Sequence, residues 1–149
     1  MRILTYKRTH TGDPDDTGSF GASDCMGKVR SFRYDAVIGV GGTGSEPRWH
    51  GIDGKITWVG ISPRRSVRPE KFRADIVKFD HFILLDQSGP FLAEMAPALA
   101  RKLFSGRRFI LDKYSPAEYQ EARRIIDWAL TIDTVKLGQS HRKASCGPC

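Results

Sequence analysis

Between Tyr34 and Ile61 the chain lays down two apolar runs, YDAVIGV and KITWVGI, separated by GGTGSEPRWHGIDG. No other stretch constrains the fold as much. Gly39, Gly41 and Gly44 fit the spacing G-x-G-x-x-G. In a dinucleotide-binding fold that spacing turns a strand into a helix whose N-terminal amides hold a pyrophosphate. Here Pro47, Gly51 and Gly54 come next, no helix begins among them, and the following regular run is again a strand. The glycines therefore join strand to strand, and the dinucleotide reading fails in its own context. A glycine-rich link between strands permits positive φ and lets a ligand approach bare backbone. A flexible hairpin loop accounts for the same residues equally well.

The remaining elements follow from local pattern. Arg2–Tyr6, Ile76–Asp86 and the run RRFILD read as strands. Residues 90–104 read as a helix that Pro97 bends or restarts and Gly106 stops. The surest helix starts at SPAEYQEARRIIDWALTI. Ser115 is placed as N-cap, Pro116 at N1 and Glu118 at N3 to complete a capping box. The long polar segment after Tyr6 and the stretch SPRRSVRPEKFRAD, residues 62–75, read as loops. Residues 1–132 form one α+β domain in this reading, and residues 133–149 a basic flexible tail.

With 149 residues, 40% of them hydrophobic and 28% charged, the chain has the balance of a soluble globular domain. No apolar run approaches the roughly 18 residues needed to span a bilayer, so no membrane partner is expected and the cytoplasm is the expected compartment. Lys and Arg number 24 against 17 Asp and Glu, a formal charge of +7. Such a surface favours a phosphate-bearing partner, a nucleotide or nucleic acid. The three cysteines form no disulfide framework. Cys146 and Cys149 spell CGPC, but no helix follows to lower a thiol pKa, and with His141 they supply three metal ligands and no fourth. No metal site is expected. GDPDD beside His10 is ordinary turn chemistry as much as a cation loop. No residue pattern names a cofactor.

Aromatic side chains near arginines are the chemistry that holds a base and its phosphate. Tyr6, Phe20, Trp49 and Trp58 are the candidate stacking residues. Trp58 in mid-strand also suits a core, whereas Trp49, between Arg48 and His50 in a polar loop, does not. Arg30, Arg48, Arg64 and Arg65 are the candidate phosphate ligands. Gly39, Gly41, Gly42 and Gly44 would offer backbone amides. A catalytic alternative uses Cys25 beside Asp24, with His81 or His50 as base. Against it, a small buried cysteine and a hydrogen-bonded core histidine are the commoner fates of such residues.

The run SFGASDCMGKVRSFRYDAVIGVGGTG followed by GKITWVGI resembles the nucleotide-modification-associated domains of phage and bacteria. The resemblance rests on Phe20-Gly21, Cys25, Lys28 with Arg30, Asp35 before VIG, the glycine turn and the returning GK strand; FDHFILL is similar to a later strand of such domains. The strand–glycine–strand pattern also resembles the hairpin of PUA- and EVE-like barrels. These resemblances imply a mixed, barrel-like sheet, to which the local pattern adds two C-terminal helices. They imply binding, with or without processing, of a nucleotide or modified base, DNA being favoured over RNA, in DNA modification or phage defence. The alternatives are a small nucleotide-directed hydrolase or transferase, and a protein-interaction partner in such a system.

Overall fold

The structure, a computed structural model, describes residues 1–8, 19–23, 34–42, 52–65, 74–107 and 109–132. Six strands are present: β1 (Ile3–Arg8), β2 (Ser19–Ser23), β3 (Ala36–Gly41), β4 (Ile56–Arg65), β5 (Ala74–Leu84) and β6 (Phe109–Ile110). Three helices follow or interrupt them: α1 (Leu92–Met95), α2 (Pro97–Leu103) and α3 (Pro116–Leu130). The fold is α+β. Among the described residues no helix is long and apolar enough to cross a membrane.

The strands form one mixed sheet in the order β2-β5-β4-β3-β1-β6. β1 and β3 are parallel, and every other neighbouring pair is antiparallel. The glycine-rich stretch does connect two antiparallel neighbours, β3 and β4. The sheet is open, with β2 and β6 at its edges, and among the described residues no pairing joins those edges into a barrel. β6 is only two residues long and covers Thr5 and Tyr6 of β1.

Each face carries its own apolar cluster. On one, Ile3, Ile38, Val59, Ile61 and Ile83 pack under Leu92, Leu99, Leu103, Ile125 and Ile126 of the helices. On the other, Leu4, Tyr6, Tyr34, Val37, Trp58, Phe82 and Leu111 pack together. Strict alternation would put Ile56 and Trp58 on one face. The register instead shifts between Gly39 and Val40, so that Gly39 opposes Trp58 while Val40 opposes Ile56. This bulge turns Ile56 to the helical side and leaves Trp58 on the other. Thr57, the extra residue, is buried, and its hydroxyl donates to the Gly39 carbonyl at 3.3 Å.

Pro97 restarts the helix rather than bending it. Ala96 leaves helical geometry (φ −146°, ψ 73°), and Pro97, which has no N–H to lose, opens α2. The buried Glu121 of α3 accepts the Leu99 N–H at 2.8 Å, satisfying an amide that the first turn of α2 leaves orphaned. α3 begins with the expected capping box. The Ser115 hydroxyl accepts the Glu118 N–H, and the Glu118 carboxylate accepts the Ser115 N–H at 2.8 Å.

Two polar stretches read as loops contain strand. β2 lies within the segment after Tyr6, and β4 continues through Pro63 to Arg65. Ser62 has φ 57° and donates its N–H to the Asp35 carbonyl at 2.9 Å. Beyond that point, among the described residues, only β4, β5 and β2 continue. They form a three-stranded arm in which β5 runs seven residues from His81 to Ala74, about 23 Å at 3.3 Å per residue.

Candidate functional site

β1 and β3 run side by side with Arg8 opposite Gly41. Their carboxyl ends thus lie at one end of the sheet, and the connections 9–18 and 43–51 leave from neighbouring positions there. The first connection carries His10 by sequence; the second carries Gly44, Arg48, Trp49 and His50. Those residues lie outside the described ones, as do Asp24, Cys25 and Arg30 and the CGPC tail.

Two lysine–phenylalanine pairs stand at the same end. Lys7, opposite Val40, holds its ammonium 3.4 Å from the Leu103 carbonyl, capping α2, and 5.2 Å from the centre of the Phe104 ring. Lys55, bridged to Phe91, donates to the Gln87 carbonyl at 2.8 Å and lies 5.2 Å from the Phe91 ring. Both rings are open to solvent, Phe91 at 45% and Phe104 at 41%. A cation over one ring face with the remainder in water is a surface that can stack a planar group beside an anion. Asp53 and Glu94 are exposed acids nearby, the Glu94 N–H donating to the Phe91 carbonyl at 3.1 Å. Sequence reasoning missed all four residues. Phe91 and Phe104 flank α1 and α2, where an aromatic reads as core, and only the lysines' place at one end of the sheet, on either side of β3, gives them away.

The glycines at this end pack against the chain itself. A Cβ on Gly39 would fall within the Trp58 indole, and one on Gly41 would meet the Ile52 carbonyl. The Gly41 N–H donates to the Lys55 carbonyl at 2.9 Å, and its carbonyl accepts from the Gly54 N–H at 2.7 Å. Gly42 is buried. Trp58 is fully buried, Tyr6 is 4% exposed, and both belong to the second cluster. The Trp58 ring lies 5.7 Å from Phe79 and 6.2 Å from Phe82. Close backbone approach is needed here, as the glycines imply, and the group that approaches is the protein's own.

Arg64 and Arg65 are at the other end. Arg64 lies nine positions beyond Lys55, about 30 Å along the strand. The register aligns Arg64 with Lys78 and Ser19, and Arg65 with Val77 and Phe20. Three candidates scattered in sequence, Phe20, Arg64 and Arg65, thus occupy adjacent rows of the arm. Arg64 is largely exposed and pairs with Asp80 at 2.7 Å.

His81 lies mid-strand on the helical side, half-buried, with Nε2 2.9 Å from the Ala129 carbonyl in the last turn of α3. β2 ends at Ser23 opposite Ala74, about 23 Å along β5 from His81. Asp24 and Cys25 follow directly on Ser23 in the chain. Among the described residues no group of three His, Cys, Asp or Glu is arranged to hold a metal ion.

A concavity of about 390 Å³ lies at the start of β1 between Arg2, Asp112, Tyr114 and Tyr119. Its polar groups serve the fold. Arg2 forks onto Asp112 at 2.7 and 2.8 Å, and the Tyr119 hydroxyl donates to the Met1 carbonyl at 2.7 Å. The Tyr114 hydroxyl sits 2.7 Å from the Ile3 carbonyl and 2.8 Å from the Thr5 hydroxyl, and burial pushes its pKa well up. Compared with protein-family models, curated proteins and solved structures, the chain matches none.

Proposed function

We propose that the protein binds a nucleotide, or a modified base within nucleic acid, at the end of the sheet where β1 and β3 terminate together. The observation that carries this reading is the parallel pairing of Arg8 with Gly41. In open parallel α/β sheets ligands bind in the crevice beyond the carboxyl ends of the strands, and β1 and β3 are the parallel pair of this mixed sheet. The connection that leaves from β3 carries by sequence the residues suited to the task. Trp49 stacks the base, Arg48 and His50 contact its phosphate, and the Lys7–Phe104 and Lys55–Phe91 pairs flank them. The charge of +7 supports an anionic ligand. The resemblance of residues 19–44 to nucleotide-modification-associated domains supports a modified DNA base and a role in DNA modification or phage defence, in the cytoplasm.

Titration of a nucleoside monophosphate and of a short oligodeoxynucleotide, followed by tryptophan fluorescence, tests it. Stacking is worth about 1–3 kcal/mol per base. Trp49→Ala should therefore weaken binding by roughly 5- to 150-fold, and Phe91→Ala with Phe104→Ala by a further measurable factor, while all remain folded. Unchanged affinity in both variants, or no binding by the unaltered protein, overturns the reading.

A further inference from the structure

We infer that the turn from α2 into β6 holds the nucleotide next to the recognised base, so that the ligand is a single-stranded segment of DNA and not a free nucleotide. The inference rests on the function proposed above and names the class of ligand that its site takes.

On α2, Leu99, Ala100 and Leu103 are buried, and at about 100° per residue Lys102 and Phe104 fall on opposite flanks of them. Lys102 takes the flank toward α3, where it holds Glu118 at 3.0 Å. Arg101 shares the other flank with Phe104, three residues on, and both are exposed. The Lys7 ammonium stands 5.2 Å from the centre of that ring. Past Gly106, where φ is 91° and an added Cβ would meet nothing within 4 Å, Arg107 is exposed as well. It lies two positions before Phe109, the partner of Tyr6, and so beside the end of β1.

The charge on this surface is of one sign. From Ala96 to Leu111 the chain has no Asp or Glu. The two carboxylates that α3 brings to α2 are committed, Glu118 to Lys102 and Glu121 to the Leu99 N–H. Lys7, Arg101 and Arg107 make no ion pair among the described residues. Uncompensated cations around one open ring suit a nucleic-acid strand, because the ring stacks an unpaired base and the cations take the phosphates beside it. A protein partner needs an apolar centre with its charge at the rim. Here Phe104 is the one exposed apolar side chain between Arg101 and Arg107. The function proposed above assigns Trp49 to the recognised base; a second ring calls for a second base, which a mononucleotide lacks.

The test is fluorescence anisotropy of a short labelled DNA single strand across a salt series, with Phe104→Ala and with Arg101→Ala combined with Arg107→Ala. All three side chains are exposed, so the variants should stay folded, which thermal denaturation checks. Phe104→Ala should weaken strand binding by roughly 5- to 150-fold, and mononucleotide binding far less. Each lost phosphate contact lowers the slope of log K against log salt by about 0.7 for a single strand, so the arginine double variant should lose about 1.4 units. Its mononucleotide affinity should not change. An unaltered slope and strand affinity in the folded variants overturns the inference and leaves the β1–β3 site standing. Weakened strand binding in these variants, with Trp49→Ala binding as the parent does, keeps the turn and removes that site. Displacement of the strand by polyglutamate of equal charge and concentration overturns the inference in favour of an acidic protein. So does tighter binding of a duplex than of the strand, since paired bases offer the ring no face.

Discussion

Gly39 is the position where a packing explanation and a ligand-binding one predict opposite results. Its register partner is Trp58, and an added methyl would fall within the Trp58 indole. The ring has nowhere to retreat, since it is fully buried with Phe79 and Phe82 against it. Forcing an extra methyl into a closed core costs about 1–3 kcal/mol, and the enclosed ring puts Gly39→Ala near 3. Gly39 has no positive φ, so alanine recovers up to about 1 kcal/mol by restricting the unfolded chain. The net loss is about 2 kcal/mol. With a urea m-value near 2 kcal/mol/M, the unfolding midpoint should fall by about 1 M.

Trp58→Leu removes Nε1 and Cε2, two of the indole atoms that the methyl would strike. It leaves a cavity costing about 3 kcal/mol. Combined with Gly39→Ala, the two losses should sum to at least 1 kcal/mol more than the double variant shows, because the methyl then enters space the smaller side chain vacates. Urea unfolding by circular dichroism measures all four corners of the cycle. A Gly39→Ala protein within 0.5 kcal/mol of the parent, or costs that simply add, would refute this account. A stable Gly39→Ala protein that loses nucleotide binding would mark the glycine as a ligand contact.

Two further outcomes follow from the helical side. Burial opposes ionisation of Glu118, but hydrogen bonds from the Ser115 backbone and from Lys102, 3.0 Å away, outweigh it and hold the carboxyl below its ordinary value. A carboxyl lowered in the folded state contributes stability that is complete above its unfolded pKa and is lost as pH falls through the folded one. Melting temperature against pH should therefore show an acid limb that Glu118→Gln flattens; an identical limb in the variant would exclude Glu118 as its source. His81→Ala removes the hydrogen bond to the Ala129 carbonyl and should cost about 1 kcal/mol, with nucleotide affinity unchanged. Loss of binding at full stability would transfer His81 from the fold to a site.

How much the sequence revealed tracks how local each signal is. The cap of α3 is written in Ser115, Pro116 and Glu118, three residues whose chemistry closes on itself, and it formed as read. The strand cores of β1, β3, β4 and β5 were visible as apolar runs. β2 was not, because Ser19–Ser23 owes its strand to pairing with residues 74–78, more than fifty positions away. The end of β4 was hidden for a related reason. Pro63 and two arginines read as loop, yet they extend along β5. The bulge beside Gly39 depends on which residue of β4 the indole meets, a fact of register with no mark in composition. Phe91 and Phe104 look apolar in the sequence and become surface only once α1 and α2 are laid on the sheet.

Register also decides which combinations of candidate residues can act together. A single cleft holding the glycine stretch and Arg64 with Arg65 would need both ends of β4 to meet, and a continuous strand of ten residues holds them apart. A dyad of Cys25 and His81 meets the same obstacle on β5, where about 23 Å lies between His81 and the row that pairs with Ser23. The thiol would have to recross most of that length in two residues, which span at most about 7 Å. A nucleophile at Cys25 therefore needs a base other than His81.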